Sequence, residues 1–284
     1  MEIKKVGVLG AGTMGAGIAQ IAAEAGLQVV LVDVSHTILE KAVKGIIQSW
    51  QKAVEKGKIS ADEMDERVAL LFTHKTVAEF ADCDIVIEAI AENIEIKKNV
   101  FGQLEEICKA ETILASNTSA LSITEIATAT KRADKVAGMH FFNPVPVMKL
   151  VEVIPGSETT DQTVDTIMEL CRRLSKEPVK AKESPGFIVN RILVPYLNEA
   201  AFAYQDGVAT AAEIDKAMKL GANMPIGPLA LCDMVGIDVI LSVCEYYWQE
   251  FGDSKYRPSL AFRQKVRAGH LGVKSGRGFY DYSK

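Results

Sequence analysis

The sequence predicts an α/β protein: a Rossmann-type doubly wound sheet with an inserted helical hairpin, followed by an all-α C-terminal domain. Three observations carry this. Short apolar, β-branched runs alternate with helical patterns over roughly the first 180 residues, as in strands covered on both faces by helices. A lysine-rich helical stretch at about 36–70 interrupts that alternation. After Ser184-Pro185-Gly186, whose Pro and Gly end regular structure, only helical patterns follow.

Taken in order, residues 6–9 (VGVL) form a short apolar strand, 14–25 a helix rich in small residues, and 27–32 a continuous β-branched strand. Residues 36–56 read as one long helix and 61–70 as a second returning beside it, which makes the hairpin. The sheet resumes at 85–90 (IVIEAI), followed by a helix at 95–109 and a strand at 112–115. Residues 135–140 and 148–154 read as two more strands with Asn-Pro-Val-Pro between them. Beyond the break at 184–186, residues 187–204 form a long apolar helix, with further helices near 211–220 and 237–247.

The length of 284 residues suits two domains, placed at 1–183 and 184–284, each able to bury a core. With 32 basic and 37 acidic residues the net charge is -5, so no basic field points to nucleic acid or to an anionic membrane. Lys4 and Lys5 before an apolar run resemble a signal peptide, but glycines interrupt the run and the strand and glycine turn use it. No apolar stretch reaches the ~18 residues of a membrane span. Cys83, Cys108, Cys171, Cys232 and Cys244 are odd in number and contain no C-x-x-C. That pattern argues against a disulfide framework or zinc site and for a reducing, cytoplasmic setting; no metal is expected.

Gly10-Ala11-Gly12-Thr13-Met14-Gly15 matches G-x-G-x-x-G. It follows a strand, opens a helix, and is succeeded by a second strand ending at Asp33, which is the context a dinucleotide fingerprint requires. Gly10 permits the tight turn, Gly12 lets the backbone approach a pyrophosphate, and Gly15 lets helix and strand pack closely, with the helix N-terminus facing the phosphates. Asp33 suits the adenosine ribose hydroxyls and repels a 2′-phosphate, which favours NAD over NADP; neighbouring side chains could still admit NADP.

Five segments give the chain a resemblance to the 3-hydroxyacyl-CoA dehydrogenase family: GAGTMG at 10–15, SNTSALSI at 116–123, HFFNPVPVMKLVEV at 140–153, SPGFIVNRIL at 184–193 and KSGRGFYDY at 274–282. They run from end to end of the chain, and the third and fourth are the specific ones, well beyond a generic cofactor motif. The resemblance implies a stand-alone, NAD-dependent enzyme of butanoate and fatty-acid metabolism that interconverts acetoacetyl-CoA and (S)-3-hydroxybutyryl-CoA.

The chemistry needs a group that takes the hydroxyl proton on oxidation and returns it on reduction, and histidine titrates in the right range. Of four His, only His140 lies at the end of a predicted strand on the ligand edge of an α/β sheet. A lone histidine is more often structural. Glu152, 12 residues on and in the next strand, could reach the imidazole if the two strands return side by side. Spacing permits that pairing; the resemblance implies it, with Glu152 fixing the tautomer and stabilising the imidazolium. The resemblance also gives Ser119 and Asn190 the task of holding the substrate oxygen. Their bland alternatives are a helix N-cap and a core amide. Ser122-x-x-Glu125 resembles a capping box, so the capping role falls to Ser122.

By the same resemblance Glu92, Lys97, Asn117, Asn143 and Lys274 contact the cofactor, although Glu92 could be a helix-start acid and Lys274 a solvated lysine. Ser49 and Lys56 match the family's CoA-binding positions on the hairpin, whose lysines, Lys52 and Lys58 included, would make it a cationic, mobile clamp for phosphates. A charge run of this kind is more often a solvated face. Helices of the C-terminal domain that are apolar on more than one side imply a homodimer, unless they only fill their own core. Two other functions stay open: action on a sugar acid such as L-gulonate by the same fold, and a non-catalytic NAD-binding role. The intact set Ser119, His140, Glu152 and Asn190 speaks against the second.

Overall fold

The computed structural model describes residues 2–283, and the chain divides into two compact units between Ser184 and Pro185. The first is a Rossmann-like sheet domain. Its elements run β1 (Lys5–Leu9), α1 (Thr13–Glu24), β2 (Gln28–Val32), α2 (His36–Glu55), α3 (Ala61–Ala69), β3 (Leu71–His74), β4 (Ile85–Glu88), α4 (Ile94–Ile107), β5 (Ile113–Ser116), α5 (Ile123–Ala127), β6 (Val136–Phe141), β7 (Leu150–Pro155), α6 (Asp161–Arg173) and β8 (Glu177–Lys180). The strands form one sheet in the order β3-β2-β1-β4-β5-β6-β7-β8. From β3 to β6 every pairing is parallel; β7 runs antiparallel to β6 and parallel to β8.

The inner strands are apolar because helices bury both of their faces. Val6, Val8, Val29, Leu31, Ile85 and Ile87 are all buried. The order reverses between β1 and β4, so a crevice opens at their carboxyl ends, where doubly wound sheets take their ligands. Leu9 ends β1 beside Glu88 of β4, and Glu88 in turn stands beside Ser116 of β5.

The hairpin of α2 and α3 lies between β2 and β3. Its first helix, α2, packs against the sheet domain. Leu39, Ala42, Ile46 and Trp50 make a buried stripe at helical spacing, and the Trp50 indole donates to Glu24 of α1 at 2.7 Å. A capping box of Ser60 and Glu63 opens α3. Strands β3 and β8 and helix α6 are absent from the sequence prediction. Both missed strands are the sheet's edges: β3 is four residues long and partly exposed, and β8 carries Pro178 between exposed Glu177 and Val179.

The second unit is all helical: α7 (Val189–Gln205), α8 (Ala211–Gly221), α9 (Pro228–Val235), α10 (Ile237–Phe251) and α11 (Leu260–Arg267). Leu197, Leu229, Ile237, Tyr247 and Phe262 are among its core. Two buried aspartates tie it together. Asp215 accepts the amides of Leu229 and Ala230 at the start of α9 and the Tyr280 hydroxyl. Asp233 accepts the amides of Phe279 and Tyr280 and the Tyr282 hydroxyl. A Cβ on Gly278 would fall 2.0 Å from the Asp233 carboxylate, so the C-terminal Gly-Phe-Tyr-Asp-Tyr segment is a structural wrap.

All five cysteines are free and buried. Burial raises the Cys108 thiol to about 11 and those of Cys83, Cys171 and Cys244 to about 12, so none offers a thiolate near neutrality.

Candidate active site

The glycine turn is built as the fingerprint requires. Gly10 has a φ of +98°, and a Cβ there would meet the Ala89 carbonyl at 2.6 Å; a Cβ on Gly15 would collide with the Gly10 carbonyl oxygen. A Cβ on Gly12 would meet nothing within 4 Å. That open space above the first turn of α1, whose N-cap Gly12 supplies no side chain, leaves the backbone N–H groups able to take a pyrophosphate. Ala11, Gly12 and Thr13 line a cavity of about 490 Å³ together with Gln20, Lys41 and Asn143.

Asp33 stands just past β2. One carboxylate oxygen accepts the Ala11 amide at 2.9 Å and the other accepts the Ser35 amide at 2.9 Å. The residue that would read the ribose therefore also anchors the glycine turn.

At the opposite side of the carboxyl edge, His140 and Glu152 are direct partners in the antiparallel register of β6 and β7. Opposed residues in such a pair share a face of the sheet. The Glu152 carboxylate lies 2.7 Å from His140 Nδ1, with His140 6% and Glu152 0% exposed. Phe142 covers the imidazole at a ring-centroid distance of 4.4 Å. A buried carboxylate on Nδ1 makes that nitrogen the donor and assigns proton exchange to Nε2.

Ser119 lies in the loop after β5, beside the end of β6. Asn117 joins the two strands: its side-chain oxygen accepts the Phe141 amide at 2.9 Å. Glu92, from the β4–α4 loop, accepts the Thr118 hydroxyl at 2.6 Å, the Ser119 amide at 2.8 Å and the Ser119 hydroxyl at 3.2 Å. Beneath it Lys97 is buried on α4, with its ammonium 2.6 Å from Glu88 and 3.4 Å from Glu92. Glu88 is fully buried and also accepts the Ile90 amide and the Ser116 hydroxyl. Lys97 is thus engaged by two carboxylates of its own chain, and Glu92 by the Ser119 loop. The two residues expected at the cofactor form the floor of that loop.

Other expected residues lie as follows. Asn143 borders the 490 Å³ cavity opposite the glycine turn. Ser49 accepts Gln20 at 3.2 Å, and Lys56 is the exposed C-cap of α2. Ser122 caps α5 by accepting the Glu125 amide at 3.0 Å, as the sequence suggests; its hydroxyl donates to Glu183. In the second unit Asn190 falls in the first turn of α7, and Lys274 pairs with Asp238 at 2.6 Å.

Sequence reasoning missed Glu88, Thr118 and Lys176. Glu88 left one signal, a carboxylate closing an otherwise apolar strand. Lys176 left none: it is buried and donates to the carbonyls of Val145 and Met148, pinning the loop that bears Asn143. Burial lowers its pKa.

Comparison with known proteins matches the whole chain to one family. The model of the 3-hydroxyacyl-CoA dehydrogenase NAD binding domain matches residues 5–184, and that of the C-terminal domain of the same family matches residues 186–282. The 3-hydroxybutyryl-CoA dehydrogenase of Clostridioides difficile is 50% identical over 99% of this chain and 100% of its own. A probable 3-hydroxybutyryl-CoA dehydrogenase of Bacillus subtilis is 49% identical over 100% and 99%. The crystal structure of (S)-3-hydroxybutyryl-CoA dehydrogenase from Ralstonia eutropha superposes with a TM-score of 0.97 at 47% identity, covering 100% of both chains.

Proposed function

The chain belongs to the 3-hydroxyacyl-CoA dehydrogenase family, and from that premise we propose that it interconverts acetoacetyl-CoA and (S)-3-hydroxybutyryl-CoA with NAD. The observation that carries the proposal is the buried His140–Glu152 pair, 2.7 Å apart on opposed strands at the sheet edge that also carries the glycine turn. A plain nucleotide-binding fold has no use for such a pair.

NAD, when bound, would supply the hydride acceptor for the alcohol carbon and, as NADH, the hydride donor for the ketone. The first turn of α1 and the bare Gly12 would hold the diphosphate, and Asp33 would take the ribose hydroxyls, which supports NAD over NADP. In reduction the imidazolium of His140, stabilised by Glu152, passes its Nε2 proton to the substrate oxygen and becomes neutral; in oxidation the neutral ring takes the hydroxyl proton at Nε2, and Glu152 stabilises the imidazolium that forms. Ser119 donates to the same oxygen as negative charge gathers there. Its 3.2 Å bond to Glu92 is long, and its amide keeps the loop in place when the hydroxyl turns to substrate. Asn190 is given the companion role on the strength of the SPGFIVNR segment. Ser49 and Lys56 serve the CoA phosphates from the hairpin.

Three further parts of the proposal rest on smaller observations. Ile192, Leu220 and Met234, all more than 60% exposed on the second unit, support a homodimer. Five free buried thiols suit the cytoplasm. Among the described residues no helix is long and apolar enough to cross a membrane.

The test is oxidation of NADH by purified protein with acetoacetyl-CoA, beside NADPH, His140→Ala and Lys56→Ala. The expected result is turnover with NADH that His140→Ala loses and that Lys56→Ala retains at a higher KM for the thioester, with NADH affinity nearly unchanged. Folded, NADH-binding protein without turnover would reject the thioester and make sugar acids the next substrates.

A further inference from the structure

The Ser119 loop is gripped at both ends by carboxylates from outside it. Glu92 holds the front. At the rear stands Glu183, a half-buried residue that the mechanism above does not use. One of its oxygens accepts the Ser122 hydroxyl at 2.6 Å and the Thr124 amide at 2.9 Å; the other accepts the Thr124 hydroxyl. Helix α5 is only five residues long, far below the length at which a helix sustains itself, so its first turn depends on what caps it. Ser122 supplies the local cap, and Glu183 fixes Ser122.

We infer that Glu183 is a positioning residue for Ser119, closing the loop from the segment that leads into the second unit. The inference rests on Ser119 holding the substrate oxygen. The three bonds to Glu183 are charge-assisted, and a carboxylate near the start of α5 is favoured by the helix dipole. Without it the Thr124 amide and the Ser122 hydroxyl lose their acceptor, and the loop of Ser119, three residues before Ser122, is held from outside only on the side of Glu92 and Asn117. Glu183 also precedes Pro185, the first residue of the second unit, by two positions and Asn190 by seven. One carboxylate therefore ties the loop of Ser119 to the last residues of the first unit.

The experiment compares wild type with Glu183→Ala, Glu183→Asp and Thr124→Val. It reads kcat and KM for acetoacetyl-CoA, NADH affinity by fluorescence, and amide exchange over residues 117–125. Glu183→Ala is expected to lower kcat about tenfold, hold NADH affinity within about twofold, and speed exchange at Thr124 and Glu125. Thr124→Val keeps the carboxylate and should give a smaller loss of the same kind; Glu183→Asp should recover part of the rate. A kcat within about twofold of wild type beside faster exchange would reduce Glu183 to a helix cap and overturn the inference. An equal loss of NADH affinity, the mark of general loosening, would overturn it too. If Glu183→Ala does not fold, Thr124→Val decides by the same readouts. Wild type that binds NADH but leaves acetoacetyl-CoA unreduced removes the functional premise, and the inference with it.

Discussion

Two polar side chains stand on neighbouring segments of one sheet edge, and the chain holds them by different means. His140 lies within a six-residue strand whose every member is buried, and its partner Glu152 is set opposite by the backbone register of β6 and β7. Ser119 lies on a loop and is held by side chains from elsewhere: Glu92, Glu88 and Lys97 in front, Ser122 and Glu183 behind. Backbone pairing fixes a proton donor within narrow limits because a slip of one residue would turn the whole strand over. A loop held by hydrogen bonds gives each bond a share of the geometry and lets the hydroxyl turn from protein to substrate.

The difference can be broken from either side. Glu152→Gln keeps the shape and removes the charge that steadies the imidazolium; kcat should fall about a thousandfold with the fold intact, and a stopped-flow hydride-transfer rate would show it. Lys97→Met strikes the loop's floor. It leaves buried Glu88 and nearby Glu92 without their shared cation, so stability in urea should drop by about 3 kcal/mol. Ser119→Ala removes one donor to the developing charge, and kcat should fall about a hundredfold with NADH affinity kept; a loss as large as that of Glu152→Gln would mean that the loop does more than hold an oxygen.

The C-terminal wrap of the second unit sharpens the same contrast, because it too is held by side chains. Burial, and then the charge and hydrogen bond of Asp233, push the Tyr282 hydroxyl up to about 12, against about 10 in an unfolded chain. Below pH 10 both states keep that proton. Between about 10 and 12 the unfolded chain releases it first, so this contribution to stability is lost as pH rises through the window. Tyr282→Phe should therefore flatten the alkaline fall in melting temperature relative to wild type while leaving values near pH 7 little changed.

Much of the fold was legible because burial on both faces writes itself into composition. All six inner strands appear in the sequence as apolar runs, and both edge strands do not, since β3 and β8 bury less and carry polar residues. His140 was found by its place at a strand end and Glu152 by resemblance, 12 residues away; the antiparallel turn of β7 supplied what spacing alone could only permit. Glu183 meets Ser122 across a separation of 61 residues, and nothing in local pattern marks a carboxylate for a partner that distant. Glu92 and Lys97 were legible as important positions, but not as a pair that serves the Ser119 loop.

Asp33 bears on any redesign of cofactor choice. Because its two oxygens hold the amides of Ala11 and Ser35, exchanging it for a neutral residue to admit an extra phosphate also unfastens the turn on which both cofactors depend. A single swap at this position trades discrimination against grip, so a variant retuned for the phosphorylated cofactor needs a second substitution that restores an acceptor for those two amides.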